Sequence, residues 1–85
     1  MKRYIIVYDL RKKNRENYPN LYKWFDTNKA IQINESVYLV KSSRTIKEVF
    51  DELNALTETG DDLVVNEFPY LSWAKNSKRN DWQDK

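Results

Sequence analysis

The sequence of 85 residues contains no cysteine and no histidine. Without cysteine there is no disulfide framework and no thiolate metal site. Without histidine the commonest general base and the commonest zinc ligand are both missing. Any metal would have to be held by oxygen, which points to a hard cation such as Mg²⁺ or Mn²⁺. Long apolar runs are missing too. The N-terminal run Tyr4-Ile5-Ile6-Val7-Tyr8 is too short for a signal-peptide core or a membrane span, so a cytoplasmic protein with no membrane partner is expected. The net charge of +2 is too small to argue for nucleic acid by itself, and the local distribution of charge matters more.

What is present reads as one small domain, of a size that removes only about 60–65% of its unfolded surface from water. Arg3 to Leu10 is a continuous apolar and aromatic run, β-branched at its centre, and suits a strand buried on both faces. With a side-chain period of two, Tyr4, Ile6 and Tyr8 share one face while Ile5, Val7 and Asp9 share the other. The basic loop Arg11-Lys12-Lys13-Asn14-Arg15 follows. Asn17-Tyr18-Pro19 then supplies helix-start chemistry, with Asn17 as the cap candidate and the proline in the first turn. Leu21, Trp24 and Phe25 give that helix a buried stripe, and it stops near Asp26-Thr27-Asn28.

Lys29 to Ile33 and Ser36 to Lys41 are strand candidates joined by Asn34-Glu35 as an antiparallel pair. Thr45-x-x-Glu48 is a capping box, and Ile46, Val49, Phe50, Leu53 and Leu56 continue at the helical period. Gly60, the one glycine, is expected to end that helix with a positive φ. Leu63 to Phe68 is the last strand, closed by Pro69. The order strand, helix, strand, strand, helix, strand predicts a ferredoxin-like α+β fold over residues 1–69, an antiparallel sheet with both helices on one face. Ile5 and Val7 then fall on the open face, where a homodimer is expected. Residues 70–85 form an aromatic and basic tail. Its Trp73 and Trp82 either pin the tail onto the sheet edge or present rings to a protein partner.

Tyr4-Ile5-Ile6-Val7-Tyr8-Asp9-Leu10 resembles the opening strand of the CRISPR-associated Cas-two family of the spacer-acquisition complex. Gln32-Ile33-Asn34-Glu35-Ser36-Val37-Tyr38 is similar to the signature joining that family's second and third strands. The wider superfamily includes virulence-associated protein D toxins and SinR-like small proteins. The Tyr-Asp-Leu ending, the Asp62-Leu63-Val64-Val65 strand and the tryptophan-bearing tail look closest to the SinR-like group. The resemblance implies a ferredoxin-like homodimer in which Asp9 pairs with its symmetry mate and can hold a divalent metal for phosphodiester cleavage. The basic and serine residues that accompany this aspartate in the family's nucleases have loose counterparts in Arg11, Arg15 and Ser36. The charged tail departs from the strand that completes the family's dimer.

Each candidate residue also has a plainer reading. Asp9 is either a catalytic metal ligand or a strand-ending carboxylate that hydrogen-bonds the next loop. Arg11, Lys12, Lys13 and Arg15, with Ser36, either hold a nucleic-acid backbone or keep a small domain solvated. Tyr18 and Tyr22 either stack on bases or pack. Two functions follow: a nucleic-acid-binding dimer, RNA or DNA, that is catalytic if Asp9 holds metal, or a non-catalytic protein-binding module. The module would serve as a phage or mobile-element inhibitor of a host defence system or as a subunit of a larger complex. Fold alone does not choose between them.

Overall fold

The computed structural model describes residues 1–12 and 14–68. Lys13, and the tail with Trp73 and Trp82, lie outside the described residues. The elements are β1 (Lys2–Asp9), a 3₁₀ turn (Arg15–Asn17), α1 (Pro19–Thr27), β2 (Ile31–Asn34), β3 (Val37–Ser42), α2 (Ile46–Asn54) and β4 (Asp62–Glu67). The strands form one sheet in the order β2-β3-β1-β4, with every pairing antiparallel. This is the expected ferredoxin-like α+β arrangement, with β1 at the centre between β3 and β4.

The parity of β1 is as the alternation predicts, but its burial is not. Tyr4, Ile6 and Tyr8 are buried, whereas Ile5 is half-buried and Val7 and Asp9 are exposed. The strand is therefore covered on one face, because both helices pack on the same side. Tyr4, Ile6 and Tyr8 join Tyr38, Val40 and Val65 from the neighbouring strands against Leu21, Trp24 and Phe25 of α1 and Val49 and Leu53 of α2. Aromatic rings dominate this layer. Phe25 lies flat on Tyr38 with centroids 3.8 Å apart, and Tyr8, Tyr22 and Trp24 surround the pair. On the other face Leu39 is enclosed between its register partners Ile5 and Ile31, while Val7 and Val64, directly opposite each other, are 38% and 47% exposed.

Helix ends refine the sequence reading. Thr45 and Glu48 form the capping box in both directions. Its helix stops at Asn54, before Leu56, and Ile46 points outward. Gly60 does not cap it. Gly60 lies in a separate turn closed by the Asp61 N–H donating to the Glu58 carbonyl at 3.0 Å, and its φ is +94°. At α1, Pro19 takes the first position as expected, but Tyr18, not Asn17, occupies the cap, and no side chain closes it. Lys29 adopts a left-handed φ of +56° after this helix, so β2 begins at Ile31 and not at Lys29. Arg44 clasps the two helices: its guanidinium donates to Glu52 at 2.6 Å and to Asn28, and lies over the Trp24 ring. The Trp24 Nε1–H donates to the same Glu52 oxygen at 3.0 Å. Among the described residues no helix is long and apolar enough to cross a membrane.

Candidate functional site at the end of the first strand

Asp9 is the last residue of β1, and the antiparallel register sets Asp62, the first residue of β4, directly opposite it. Cross-strand partners project to the same face, so two exposed carboxylates share one edge of the open face with Val7 and Val64. Like charges so placed are destabilising unless a cation or a proton comes between them. A cleft of about 150 Å³ runs beside them, lined by Asp9, Leu10, Arg11, Gly60 and Asp62. Arg11 is anchored there. Its main-chain N–H donates to Asp61 Oδ1 at 2.8 Å and its guanidinium to the Thr59 carbonyl at 3.3 Å. Its stem packs on Gly60 so closely that an added Cβ would stand 2.7 Å from Arg11 Cδ. Glycine suits this position because of its φ of +94°, which side chains rarely adopt; a Cβ here would also push the Arg11 stem aside.

Among the described residues no group of three or more aspartate, glutamate, histidine or cysteine side chains gathers as a metal cage. The Asp9–Asp62 pair is nonetheless the donor set that a hard cation accepts, since Mg²⁺ keeps several waters and binds through one or two carboxylates.

The basic residues divide around β1. Lys12 Nζ pairs with Glu58 at 3.2 Å, with both side chains about half exposed. Arg15 sits in the 3₁₀ turn, which Asn14 caps by accepting the Glu16 N–H at 2.9 Å, and its guanidinium lies 4.1 Å from the centroid of the Tyr22 ring. Lys12 and Ser36 are brought together, but not with Asp9. They line a second cleft, of about 260 Å³, with Tyr8, Leu10, Tyr22 and Glu35. The reason is the strand's parity: Tyr8 faces the helices and Asp9 faces away from them. The second cleft therefore lies on the helix side of the β1 end and the carboxylate pair on the other, with buried Leu10 common to both.

Tyr18 packs, at 2% exposure, and donates to Asp61 at 3.0 Å. Tyr22 is half-buried beneath Arg15. The Tyr8 hydroxyl lies 3.4 Å from that of Tyr22 and 3.3 Å from the Glu35 carbonyl. Burial, reinforced by the hydrogen bond and charge of Tyr22, pushes the Tyr8 phenol far above its ordinary range. Burial raises Tyr38 as well, against the pull of the nearby Arg15 charge.

The residue that organises this end of the molecule is Asp61, which carried no site expectation in the sequence. It accepts the N–H of Arg11 and the hydroxyl of Tyr18 on one oxygen and the N–H of Glu58, at 2.7 Å, on the other. Asp61 thus holds the loop after β1. Partial desolvation pushes the Asp61 carboxyl upward, but the Arg11 and Glu58 N–H groups and the Tyr18 hydroxyl outweigh it and hold the carboxyl below its ordinary 3.8. A depressed folded-state pKa stabilises the fold at pH values above the unfolded pKa, and that contribution is lost as pH falls through the folded value. Asp61→Asn is expected to cost about 1–2 kcal/mol at neutral pH, since an amide offers a donor where the Glu58 N–H needs an acceptor. The gap between variant and parent should close below about pH 4. Urea midpoints across the acid range check both statements.

No protein-family profile and no curated protein sequence matches this chain. The crystal structure of a hypothetical protein from Thermus thermophilus is similar in fold, with a TM-score of 0.64 over 89% of this chain and 93% of that one, at 14% sequence identity. At that identity the likeness is one of fold.

Proposed function

We propose that this chain binds nucleic acid at the end of β1 and cleaves a phosphodiester there with the help of a divalent cation held by Asp9 and Asp62. The observation that carries this reading is the register that sets the two carboxylates opposite one another, beside an anchored arginine. Two carboxylates at one exposed strand end match what a hydrated hard cation takes, since Mg²⁺ binds through one or two carboxylates and keeps several waters. Bound Mg²⁺ or Mn²⁺ would supply charge neutralisation at the phosphoryl oxygens and a more acidic water. Arg11 stands where it can hold a phosphate oxygen, and Lys12 and Arg15 extend positive charge around the end of the strand. The resemblance of the first strand to the Cas-two family supports the same assignment. It also supports a homodimer, in which a second copy covers Val7 and Val64 and brings each Asp9 toward its mate.

The test is a cleavage assay on RNA and on DNA with Mg²⁺ and Mn²⁺ titrated, for the wild type and Asp9→Ala, beside a measurement of mass in solution. Cleavage that needs metal and Asp9 is the expected result. A wild type with no cleavage, or an Asp9→Ala variant with full cleavage, rejects the catalytic assignment. The apolar patch of Val7 and Val64 favours a second reading, a non-catalytic module that binds protein through its open sheet face. That reading prevails if neither cleavage nor salt-sensitive strand binding is found.

A further inference from the structure

We infer that the cleft on the helix side of the β1 end is a subsite for a terminal phosphate of a nucleic-acid strand, held by the Tyr8 and Tyr22 hydroxyls, Ser36 and the Arg15 guanidinium. The inference rests on the nucleic-acid reading above and adds which part of the strand enters, and where. Neutral hydroxyl donors converge here. The Tyr8 and Tyr22 hydroxyls meet at 3.4 Å, and Ser36 lines the wall beside them. The Tyr8 phenol is a donor at neutral pH as any tyrosine is, and burial raises it further. Its partners stand at 3.3 and 3.4 Å, the long end for O–H···O bonds, so a charged oxygen at ordinary distance outcompetes either.

The cationic component is Arg15. Its guanidinium carbon lies 4.1 Å from the centroid of the Tyr22 ring, and the guanidinium carries five N–H donors, more than one ring contact can occupy. Its charge already reaches Tyr8 and Tyr38. Lys12 adds positive charge at the rim even while paired with Glu58. Glu35, the acidic residue of the wall, is exposed, and its carbonyl accepts from Tyr8.

The lining favours an end. The cleft, about 260 Å³, takes in Tyr8, which is 5% exposed, so a group that reaches its hydroxyl leaves the open surface. A phosphodiester within a strand carries chain on both sides and lies along open surface. A terminal phosphate carries chain on one side only and brings a second negative charge. Leu10 lines this cleft and the Asp9–Asp62 cleft alike, so a strand anchored here by its end passes next to the carboxylate pair.

The test measures strand affinity in EDTA, which stops metal-dependent cleavage, using oligonucleotides that end in a phosphate or in a hydroxyl at either terminus. The wild type is expected to bind one phosphorylated form about tenfold more tightly than its hydroxyl counterpart, the size of one charge-assisted hydrogen bond. That preference should vanish in Arg15→Gln and shrink in Tyr22→Phe, which keeps the ring and the fold. Free inorganic phosphate should compete for the phosphorylated strand and leave the hydroxyl strand unaffected. Salt-sensitive binding without end preference, or a preference that survives both variants, overturns the subsite while leaving the nucleic-acid reading in place. No binding of any strand overturns both.

Discussion

Asp9→Ala is expected to lower the rate of Mg²⁺-dependent phosphodiester cleavage by at least about 100-fold. The number follows from the several kcal/mol of charge stabilisation that a catalytic cation contributes, since each 1.36 kcal/mol is about tenfold in rate. Asp62→Ala, at the register partner of Asp9, should behave in the same direction. Single-turnover cleavage checks both variants, with a melting curve on the same preparations to show that each is folded at the assay temperature. A folded Asp9→Ala variant that cleaves at the parent's rate would overturn the assignment.

Phe25→Ala is expected to cost about 3–5 kcal/mol, the range for a buried aromatic truncated to a methyl group. A domain of this length has a total stability on the order of 4–12 kcal/mol, so the loss removes much or all of it. The site explains the magnitude. Phe25 is 1% exposed and stacks on Tyr38 at 3.8 Å, with Tyr8 a further stacked neighbour and Tyr22 and Trp24 edge-on. Rigid rings on every side cannot collapse into the space that the side chain leaves. Urea unfolding checks the value, and Phe25→Leu should lose distinctly less because more of the volume is retained. A midpoint for Phe25→Ala within error of the parent would show that the aromatic layer does not carry the core.

Local chemistry made much of this molecule legible in advance. The capping box of Thr45 and Glu48 announced α2, and the spacing of Leu21, Trp24 and Phe25 gave the buried stripe of α1. The alternation in β1 put Asp9 with Ile5 and Val7, which is where it lies. The residues that complete the candidate site were not legible, for one physical reason. Asp62 matters because of the register between β1 and β4, and Asp61 because Arg11 and Tyr18, both distant in sequence, donate to it. Neither relation leaves a local trace. Pairing the alternation of Asp62-Leu63-Val64-Val65 against that of β1 was the one signal that pointed to Asp62. The separation of Ser36 from Asp9 was legible in principle, since adjacent residues of a strand face opposite ways, but it required knowing that Ser36 sits beside Tyr8. Arg44 shows the same limit: its partners are Glu52 in α2 and Asn28, which follows the end of α1.

The central position of β1 has a consequence for how the protein is made. β1 leaves the ribosome before its sheet partners β3 and β4, and β4 is the last element among the described residues. Contacts of such long sequence separation form slowly and cannot reward the nascent chain until late. Asp9 therefore meets Asp62 only once translation has passed β4, and shorter nascent chains carry the first carboxylate without the second. Whatever chemistry the pair performs is withheld from the growing chain until the whole sheet can close.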